Sequence, residues 1–246
     1  MTKLCILFDP NKPEGIKKIY ETCLRHKEVL QKNCEFWVGC TQSSHIEISH
    51  WLKKLKDSGF KNRFLFPGKA SHAFSGQYAD FLLRPKLLNI SLSFKGVFIN
   101  LGTRLGKILS KFLYLSGKPT MLDFGYLILG PGTRVGNITE ARKISDEKAL
   151  ELVKKFIEKE KNCYGLYVEG GSGISPEKSV VRREELLKAI IDLVPSGKIV
   201  HAGGGIRKKE EVKRLVDIGV DRIVVGTHFE TNPEDILIFS NAAAGI

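Results

Sequence analysis

Residues 198–227 of the chain are KIVHAGGGIRKKEEVKRLVDIGVDRIVVGT. A short strand-like run at 198–201, with Ile199 and Val200 at its centre, leads through Ala202 into three consecutive glycines and then into a segment with apolar residues at helical spacing. A second apolar run, at 222–225, ends at Gly226 and Thr227. This succession of strand, glycine turn, helix and strand is the repeating unit of parallel α/β folds.

The same unit recurs along the rest of the chain. Strands are predicted at residues 3–8, 36–39, 63–66, 80–83, 122–129 and 164–168, in addition to the two above. Helices are predicted at about 14–30, 45–56, 146–160, 181–194, 208–218 and 233–243. Eight strands with intervening helices favour a (β/α)8 barrel, the TIM barrel, over an open sheet. The prediction is one domain over residues 1–246, irregular between strands three and five, where 97–101 is an apolar run and 105–115 resembles a helix.

Composition places the chain among ordinary globular proteins. With 42% hydrophobic and 27% charged residues it is neither disordered nor membrane-spanning, and no apolar run approaches the roughly 20 residues that cross a bilayer. The N-terminal MTKLCILFDP becomes polar too soon for a signal peptide and is interpreted as a first buried strand. A cytoplasmic location is expected, with peripheral membrane contact left open. The five scattered cysteines predict buried, reduced thiols.

The formal net charge of +12 suits nucleic acid, an anionic membrane surface or an anionic substrate. The lysines and arginines, however, are spread along helical segments, often beside acidic residues. There is no basic, aromatic-rich strand of the RNA-binding kind and no recognition-helix signature. We therefore favour solvated helix faces with a basic bias, followed by attraction of an anionic substrate or lipid, and predict no nucleic-acid partner.

Phosphate binding is the chemistry that the glycines indicate. In (β/α)8 barrels the active site lies at the carboxyl ends of the strands, and phosphate commonly binds after strands seven and eight. Gly203, Gly204 and Gly205 follow the seventh strand, and Gly226 with Thr227 follows the eighth. A tight turn alone would explain one glycine. Three in succession, with a second turn in the phosphate position, favour a phosphorylated ligand.

Two carboxylates follow strands as well. Glu169 ends the sixth strand, where a general base or a structural salt bridge is expected. Asp9 follows the first strand and Thr41 follows the second, a combination of oxygen ligands that suits Mg²⁺. Taken alone, Asp9 before Pro10 is equally typical of a turn.

These segments together resemble the geranylgeranylglyceryl phosphate synthase family, which includes the bacterial heptaprenylglyceryl phosphate synthases. The matching segments are FDPNK at 8–12, GCTQ at 39–42, FPGKAS at 66–71, LLN at 87–89, GYLILGPGTRVG at 125–136, YVEGGSG at 167–173, AGGGIR at 202–207 and VVGTH at 224–228. Leu7 stands where the bacterial branch carries a lysine, so the archaeal-type branch is the closer match. Cys40 replaces a family glycine, and Thr227 stands where asparagine often follows the glycine.

The resemblance implies a homo-oligomeric TIM-barrel prenyltransferase of archaeal-type membrane lipid synthesis. It would join a hydroxyl of sn-glycerol 1-phosphate to a polyprenyl diphosphate, the geranylgeranyl compound above all, and release pyrophosphate. By position, Asp9 and Thr41 would hold Mg²⁺ on the diphosphate, and Glu169 would deprotonate the hydroxyl. The implied glycerol phosphate site is Tyr167, Val168, Glu169, Gly170, Gly171, Ser172, Gly173, Gly203, Gly204, Gly226 and Thr227. Candidates for an apolar prenyl groove are Phe66, Phe81, Phe98 and Phe112.

Three alternatives remain open at this point. The first is prenyl transfer to another phosphorylated acceptor, such as phosphoglycerate. The second is a different phosphate-binding barrel enzyme, for example a phosphosugar isomerase, which leaves Asp9 and Thr41 unexplained. The third is a non-catalytic barrel that binds phosphate or nucleic acid, which leaves Glu169 unexplained as well.

Overall fold

A computed structural model describes residues 1–39, 42–90, 119–130, 134–171 and 179–246. Within these ranges eight parallel strands pair in chain order, and the last strand pairs with the first to close a barrel. They are β1 (Lys3–Phe8), β2 (Cys34–Val38), β3 (Arg63–Leu65), β4 (Phe81–Leu87), β5 (Thr120–Ile128), β6 (Gly165–Glu169), β7 (Ile199–Gly203) and β8 (Arg222–Val225). The predicted (β/α)8 barrel is confirmed.

Strand β4 is longer than predicted and continues through Pro85. It pairs with β3 only at its first two residues, Phe81 and Leu82, whereas it pairs with β5 along its whole length. A proline cannot donate a ladder hydrogen bond and is tolerated where one side of a strand has no partner. The short β3 therefore explains how β4 accommodates Pro85.

The helices that follow the strands pack on the outside of the barrel. They are α1 (Pro13–Arg25), α2 (Lys27–Asn33), α3 (His45–Asp57), α4 (Arg134–Thr139), α5 (Asp146–Lys159), α6 (Glu184–Leu193), α7 (Lys209–Asp217), α8 (Thr227–Thr231) and α9 (Asp235–Ala244). None of these described helices is long and apolar enough to cross a membrane. The single helix predicted at 14–30 is in fact two, because the backbone of His26 leaves helical geometry at φ −113° and ψ 23°.

The predicted irregular middle begins after β3. A 3₁₀ segment, Ala70–Tyr78, occupies the position where a regular barrel has a helix. The hydroxyl of Ser75 donates to the carbonyl of His45 at 2.8 Å and so holds this segment against the start of α3. The predicted run at 97–101 and the helix-like stretch at 105–115 lie outside the described residues.

Two apolar layers result from the alternation of side chains along the strands. Leu166 and Val168 of β6 face outward into the core beneath the helices, whereas Tyr167 faces the barrel interior. Aromatic side chains fill much of that interior. The ring centroids of Trp37 and Tyr167, for example, lie 6.0 Å apart. The outer layer holds the helices, and the inner layer fixes the side chains that support the barrel mouth.

The amino end of the barrel is closed by a buried ion pair. The Nε of Arg222 donates to Oε1 of Glu35 at 2.5 Å, and Glu35 is 3% exposed. The indole of Trp37 and the thiol of Cys5 donate to the other carboxylate oxygen of Glu35.

The thiols of Cys5, Cys23, Cys34 and Cys163 are free and buried, as predicted, and Cys40 lies outside the described residues.

A buried histidine lies between this ion pair and the barrel mouth. His201 of β7 is 1% exposed, and its ring centroid lies 5.3 Å from that of Trp37. Its Nδ1 donates to the carbonyl of Leu166 at 3.2 Å, and among the described residues Nε2 has no partner. Burial lowers the pKa of His201 from 6.5 to about 4.

His201 is expected to make the free energy of unfolding depend on pH. Between pH 6.5 and 4 the unfolded chain takes up a proton at this residue and the folded chain does not, so stability falls as the pH is lowered. The difference of about 2.5 between the pKa values of His201 in the unfolded and the folded chain corresponds to a loss of roughly 3 kcal/mol in the free energy of unfolding. Urea unfolding at several pH values measures this loss.

The His201→Phe variant isolates the contribution of this residue, because phenylalanine suits the surrounding rings and does not titrate. We expect the variant to lose less stability than the wild type over the same pH range. His50→Gln is the matched control, since His50 is exposed on α3. If His201→Phe and the wild type lose the same amount, His201 is not the source.

Candidate functional site

Three neighbouring strand ends bring the predicted site residues together. Strand β6 ends at Glu169, β7 ends at Gly203, and β8 ends directly before Gly226. In the ladder Glu169 lies opposite Gly203, which in turn lies opposite Val224. The carboxylate and the two glycine turns therefore lie side by side at the carboxyl end of the barrel, as predicted.

Glu169 is held by two hydrogen bonds inside the barrel mouth, where it is 5% exposed. Its Oε2 accepts from the Tyr167 hydroxyl at 2.5 Å, and its Oε1 accepts from the backbone N–H of Gly171 at 2.8 Å. Burial raises the pKa of the Glu169 carboxyl, although both hydrogen bonds lower it. Within the described residues it pairs with no lysine or arginine.

Tyr167 supports this carboxylate from below. It is 2% exposed, and its ring stacks on that of Tyr126 with centroids 5.0 Å apart. Burial raises the pKa of the Tyr167 phenol well above its usual range. The phenol therefore remains a neutral donor to Glu169, fixed in place by the packing of two rings.

The glycines after β7 have two structural tasks. A Cβ on Gly203 would lie 2.5 Å from the Tyr167 hydroxyl, and one on Gly204 would lie 2.6 Å from Oε1 of Glu169. Gly204 and Gly205 also have φ values of +96° and +76°, which side chains with a Cβ rarely adopt. The turn thus requires glycine both for its own conformation and to leave room for the Tyr167–Glu169 pair.

A cavity of about 330 Å³ opens beside these groups. Its described wall consists of Leu7, Tyr167, Glu169, Gly204, Gly205, Ile206, Arg207, Val224, Val225, Gly226, Thr227, His228, Glu230, Thr231 and Asn232. Within the described chain, the backbone N–H groups of Gly204, Gly205 and Thr227 donate to no other residue. Backbone N–H groups of successive loop residues are donors that phosphate sites commonly use.

Two of the predicted acceptor-site residues, Val168 and Gly170, lie next to the cavity without forming its described wall. Val168 is buried with its side chain in the outer core, and Gly170 donates its N–H to the carbonyl of Gly203 at 2.8 Å. These two shape the backbone around Glu169 and are not part of the cavity wall. Ser172 and Gly173, which the resemblance places in the acceptor site, lie outside the described residues.

Of the two residues predicted to bind Mg²⁺, Asp9 lies among the described residues and Thr41 does not. Asp9 lies directly after β1, and its Oδ1 accepts from the backbone N–H of Asn11 at 2.9 Å. The amide oxygen of Asn11 accepts from the Ser43 hydroxyl at 2.9 Å, which joins the loops after β1 and β2. No group of three carboxylate, histidine or cysteine ligands occurs among the described residues. One carboxylate suits Mg²⁺ that completes its shell with water and substrate oxygens; Thr41 lies outside the described residues.

The aromatic candidates for a prenyl groove divide between the two ends of the barrel. Phe66 follows β3 at the carboxyl end and lies 6.1 Å from the ring of Tyr167. Phe81 begins β4 at the amino end, where it stacks on Phe64 with centroids 4.5 Å apart. Phe66 therefore lies at the same end of the barrel as the cavity, outside its described wall, whereas Phe81 packs against the inner core from the amino end. Phe98 and Phe112 lie outside the described residues.

Comparison with known proteins establishes the family. Residues 5–243 match the PcrB family. The chain belongs to the PcrB family. The geranylgeranylglyceryl phosphate synthase of Pyrococcus abyssi is 31% identical over 233 residues, which cover 92% of this chain and 83% of that protein. The enzyme of the same name from Nitrosopumilus maritimus is 30% identical over 204 residues, which cover 78% and 71%. The resemblance inferred from the motifs is confirmed, and this PcrB-family chain is a prenyltransferase enzyme.

Solved structures agree on the fold. The (S)-3-O-geranylgeranylglyceryl phosphate synthase from Thermoplasma acidophilum, in complex with its substrate sn-glycerol-1-phosphate, matches with a TM-score of 0.79 at 21% identity. The match covers 100% of this chain and 94% of that one. Orotidine 5'-phosphate decarboxylase from Pyrococcus horikoshii matches at 0.55 and 13% identity, covering 98% of this chain and 100% of that one. At these identities the likeness shows a shared barrel fold and no more.

Several wall residues of this PcrB-family site were given no role by the sequence analysis. Arg207 is the last residue of the matched segment AGGGIR, two positions after Gly205. This position in the sequence could have predicted that Arg207 lines the cavity, as the structure shows. His228 bonds through Nε2 to the Asp235 carboxylate at 2.7 Å, and its ring stacks on Phe239. Only the packing of α8 on α9 reveals that pair, which holds the turn after β8 in position.

Proposed function

We propose that the protein transfers a geranylgeranyl group from its diphosphate to a hydroxyl of sn-glycerol 1-phosphate, forming an ether and releasing pyrophosphate. The observation that carries this proposal is the buried carboxylate of Glu169 on the same cavity as two glycine turns. The names of the relatives support the prenyl group, and the substrate of the Thermoplasma acidophilum enzyme supports the acceptor.

The acceptor would bind with its phosphate toward the two glycine turns. The N–H groups of Gly204, Gly205 and Thr227 provide donors for phosphate oxygens on one side of the cavity. Glu169 lies on the wall beside them, where it can accept a hydrogen bond from a glycerol hydroxyl. This arrangement would hold the nucleophile in one orientation, which is a large part of what an enzyme supplies in a two-substrate reaction.

In the reaction, a glycerol hydroxyl oxygen attacks the first carbon of the prenyl chain. The bond from that carbon to the diphosphate oxygen breaks, and pyrophosphate leaves with the bonding electrons. The hydroxyl proton passes to Glu169. Because burial raises the pKa of this carboxyl, it is a stronger base than an exposed glutamate. The remaining hydrogen bonds from Tyr167 and Gly171 keep it in place.

Asp9, with Thr41, would hold Mg²⁺ against the diphosphate. When bound, the ion neutralises charge that develops on the leaving group. The side chain of Asn11 and the hydroxyl of Ser43 keep the loops after β1 and β2 together, so that Asp9 faces the same end of the barrel as the acceptor cavity.

Incubation with radiolabelled sn-glycerol 1-phosphate, Mg²⁺ and a series of prenyl diphosphates, followed by organic extraction, tests the proposal. We expect label in the organic phase only when Mg²⁺ and a prenyl donor are both present, with geranylgeranyl diphosphate the preferred donor. Folded protein that brings no label into the organic phase with any prenyl donor would contradict it. The same assay with 3-phosphoglycerate would then test a different phosphorylated acceptor.

Asp9→Asn is expected to raise the Mg²⁺ concentration needed for half-maximal turnover by about 10-fold, because a neutral amide binds a hard cation less well than a carboxylate. Turnover measured against Mg²⁺ concentration checks this, with circular dichroism to confirm the fold. Asp57→Asn is the control, since Asp57 pairs with Lys53 on the surface of α3. An unchanged Mg²⁺ requirement in Asp9→Asn would remove Asp9 from the metal site.

A further inference from the structure

Two large apolar side chains are exposed next to each other at the carboxyl end of the barrel. Ile46, in the first turn of α3, is 69% exposed, and Phe74, in the 3₁₀ segment after β3, is 45% exposed. The two elements are in contact, because the rings of His45 and Phe74 lie 6.0 Å apart and the Ser75 hydroxyl donates to the carbonyl of His45. Single exposed apolar residues are common on any protein, whereas neighbouring ones indicate a docking surface.

The segment that carries these side chains is positively charged. Residues 42–78 contain six lysines and arginines but two acidic residues, Glu47 and Asp57. The Glu47 carboxylate is turned back onto the start of its own helix, where it accepts from the backbone N–H of Ser44 at 2.8 Å. Asp57 pairs with Lys53 at 2.5 Å. The excess of positive charge over this segment favours an anionic partner.

Lys69 brings an unneutralised charge to the exposed apolar side chains. Its ammonium donates to the carbonyl of Gln42 at 3.3 Å and therefore lies beside the loop that leads into α3. Within the described part of the chain Lys69 pairs with no carboxylate. The amino end of α3, a helix of 13 residues, adds partial positive charge at the same place. We call His45, Ile46, Lys69 and Phe74 the basic apolar rim.

The combination of charge and apolar side chains distinguishes between possible partners of the rim. A two-fold contact with a second copy would place the same positive segment against itself, and like charges repel at short range. Nucleic acid would match the charge of Lys69 but gives the aliphatic side chain of Ile46 no apolar surroundings. A bilayer that contains anionic lipids matches both features, because apolar side chains enter its interface while lysines contact the headgroups.

We propose that the basic apolar rim docks the protein on the surface of an anionic lipid bilayer, with the mouth of the barrel toward the membrane. The inference rests on the proposed function for its purpose. A long prenyl diphosphate and the prenylated glycerol phosphate are both amphiphilic, and each buried methylene of their chains favours the bilayer. The rim lies at the same end of the barrel as Glu169, so docking would bring the site to the donor and let the product leave into the membrane.

Vesicle sedimentation without substrates tests the docking. The wild type is expected to bind vesicles of equal parts phosphatidylglycerol and phosphatidylcholine, and to bind less at high salt or with phosphatidylcholine alone. The double variant Ile46→Ser, Phe74→Ser should lower the partition coefficient at least about 10-fold, and Lys69→Gln should lower it about fivefold. Leu193→Ser is the matched control and should bind as the wild type does, since Leu193 is 38% exposed where α6 ends at the amino end of the barrel.

Turnover separates docking from a defect in the fold or the active site. The double variant should match the wild type with geranyl diphosphate in solution, but be slower with geranylgeranyl diphosphate embedded in the anionic vesicles. Circular dichroism confirms that the variant is folded.

Wild-type vesicle binding by the double variant, or an equal loss in Leu193→Ser, would overturn the proposal. So would sedimentation velocity that shows the double variant with a smaller assembly than the wild type, which would assign the rim to a second copy. Binding of single-stranded DNA in place of vesicles would assign it to nucleic acid. If the wild type transfers no prenyl group yet binds vesicles through the rim, the proposed function fails and the docking surface stands.

Discussion

Glu169→Gln is expected to lower kcat by about 10²- to 10⁴-fold, the usual contribution of a positioned general base. The amide has the shape of the carboxylate: its oxygen can accept from the Gly171 N–H, and its NH2 group can donate to the Tyr167 oxygen in a reversed hydrogen bond. It cannot take up the hydroxyl proton. The KM for glycerol phosphate should therefore change by less than about threefold. Steady-state kinetics with both substrates varied measures the two constants separately.

The pH dependence of the wild type gives a second measure of the same role. The base must be deprotonated, so kcat/KM should fall as the pH is lowered through the raised pKa of Glu169. This acid limb should lie above the usual range of a glutamate and disappear from the residual activity of Glu169→Gln. Glu210→Gln, an exposed carboxylate near the start of α7, is the control. An equal change in KM and kcat would instead assign Glu169 to binding.

Gly204→Ala is expected to lower the free energy of unfolding by about 2–5 kcal/mol. It is also expected to reduce enzymatic activity, because the loop that carries the Gly204 N–H must move. The added Cβ would lie 2.5 Å from the backbone nitrogen of Gly171 and 2.6 Å from the Glu169 carboxylate, so the loop must move. The φ of +96° adds strain of about 1–2 kcal/mol. Chemical unfolding and acceptor titration measure the two effects.

Gly197→Ala provides the matched control for Gly204→Ala. Its φ of +87° is similar, but a Cβ there would have no atom within 4 Å. It should therefore show only the conformational strain, about 1 kcal/mol, and normal turnover. If the two variants were equally destabilised and equally active, the close approach of Gly204 to Glu169 would have no energetic consequence.

Local patterns predicted that Glu169 and the glycine turns after β7 and β8 lie at the same end of the barrel. The alternation of side chains in β6 implies that Tyr167 and Glu169 share a face, and the glycines after β7 and β8 mark the turns that phosphate sites use. The structure confirms this placement and adds a reason for Gly203 and Gly204 that the pattern did not contain. They lie against the Tyr167–Glu169 pair, a contact between residues that are distant in the chain.

Other features depended on packing between distant segments. The helix predicted at 14–30 breaks at His26, although nothing in its hydrophobic spacing indicates a stop. That Leu7 of β1 and Arg207 line the same cavity is visible only once the barrel has closed. The pairing of His228 with Asp235 likewise depends on how α8 and α9 meet.

The sequence by itself determined the (β/α)8 class, the family and the positions of the glycine turns and of Glu169. These follow from short-range periodicity and from motifs within single segments, which a linear chain displays directly. Tertiary structure alone decided the described partners of Glu169, the direction of its pKa shift and the set of residues that line the cavity. Burial and distance between strands determine those properties, because desolvation and close contact arise only when the barrel closes.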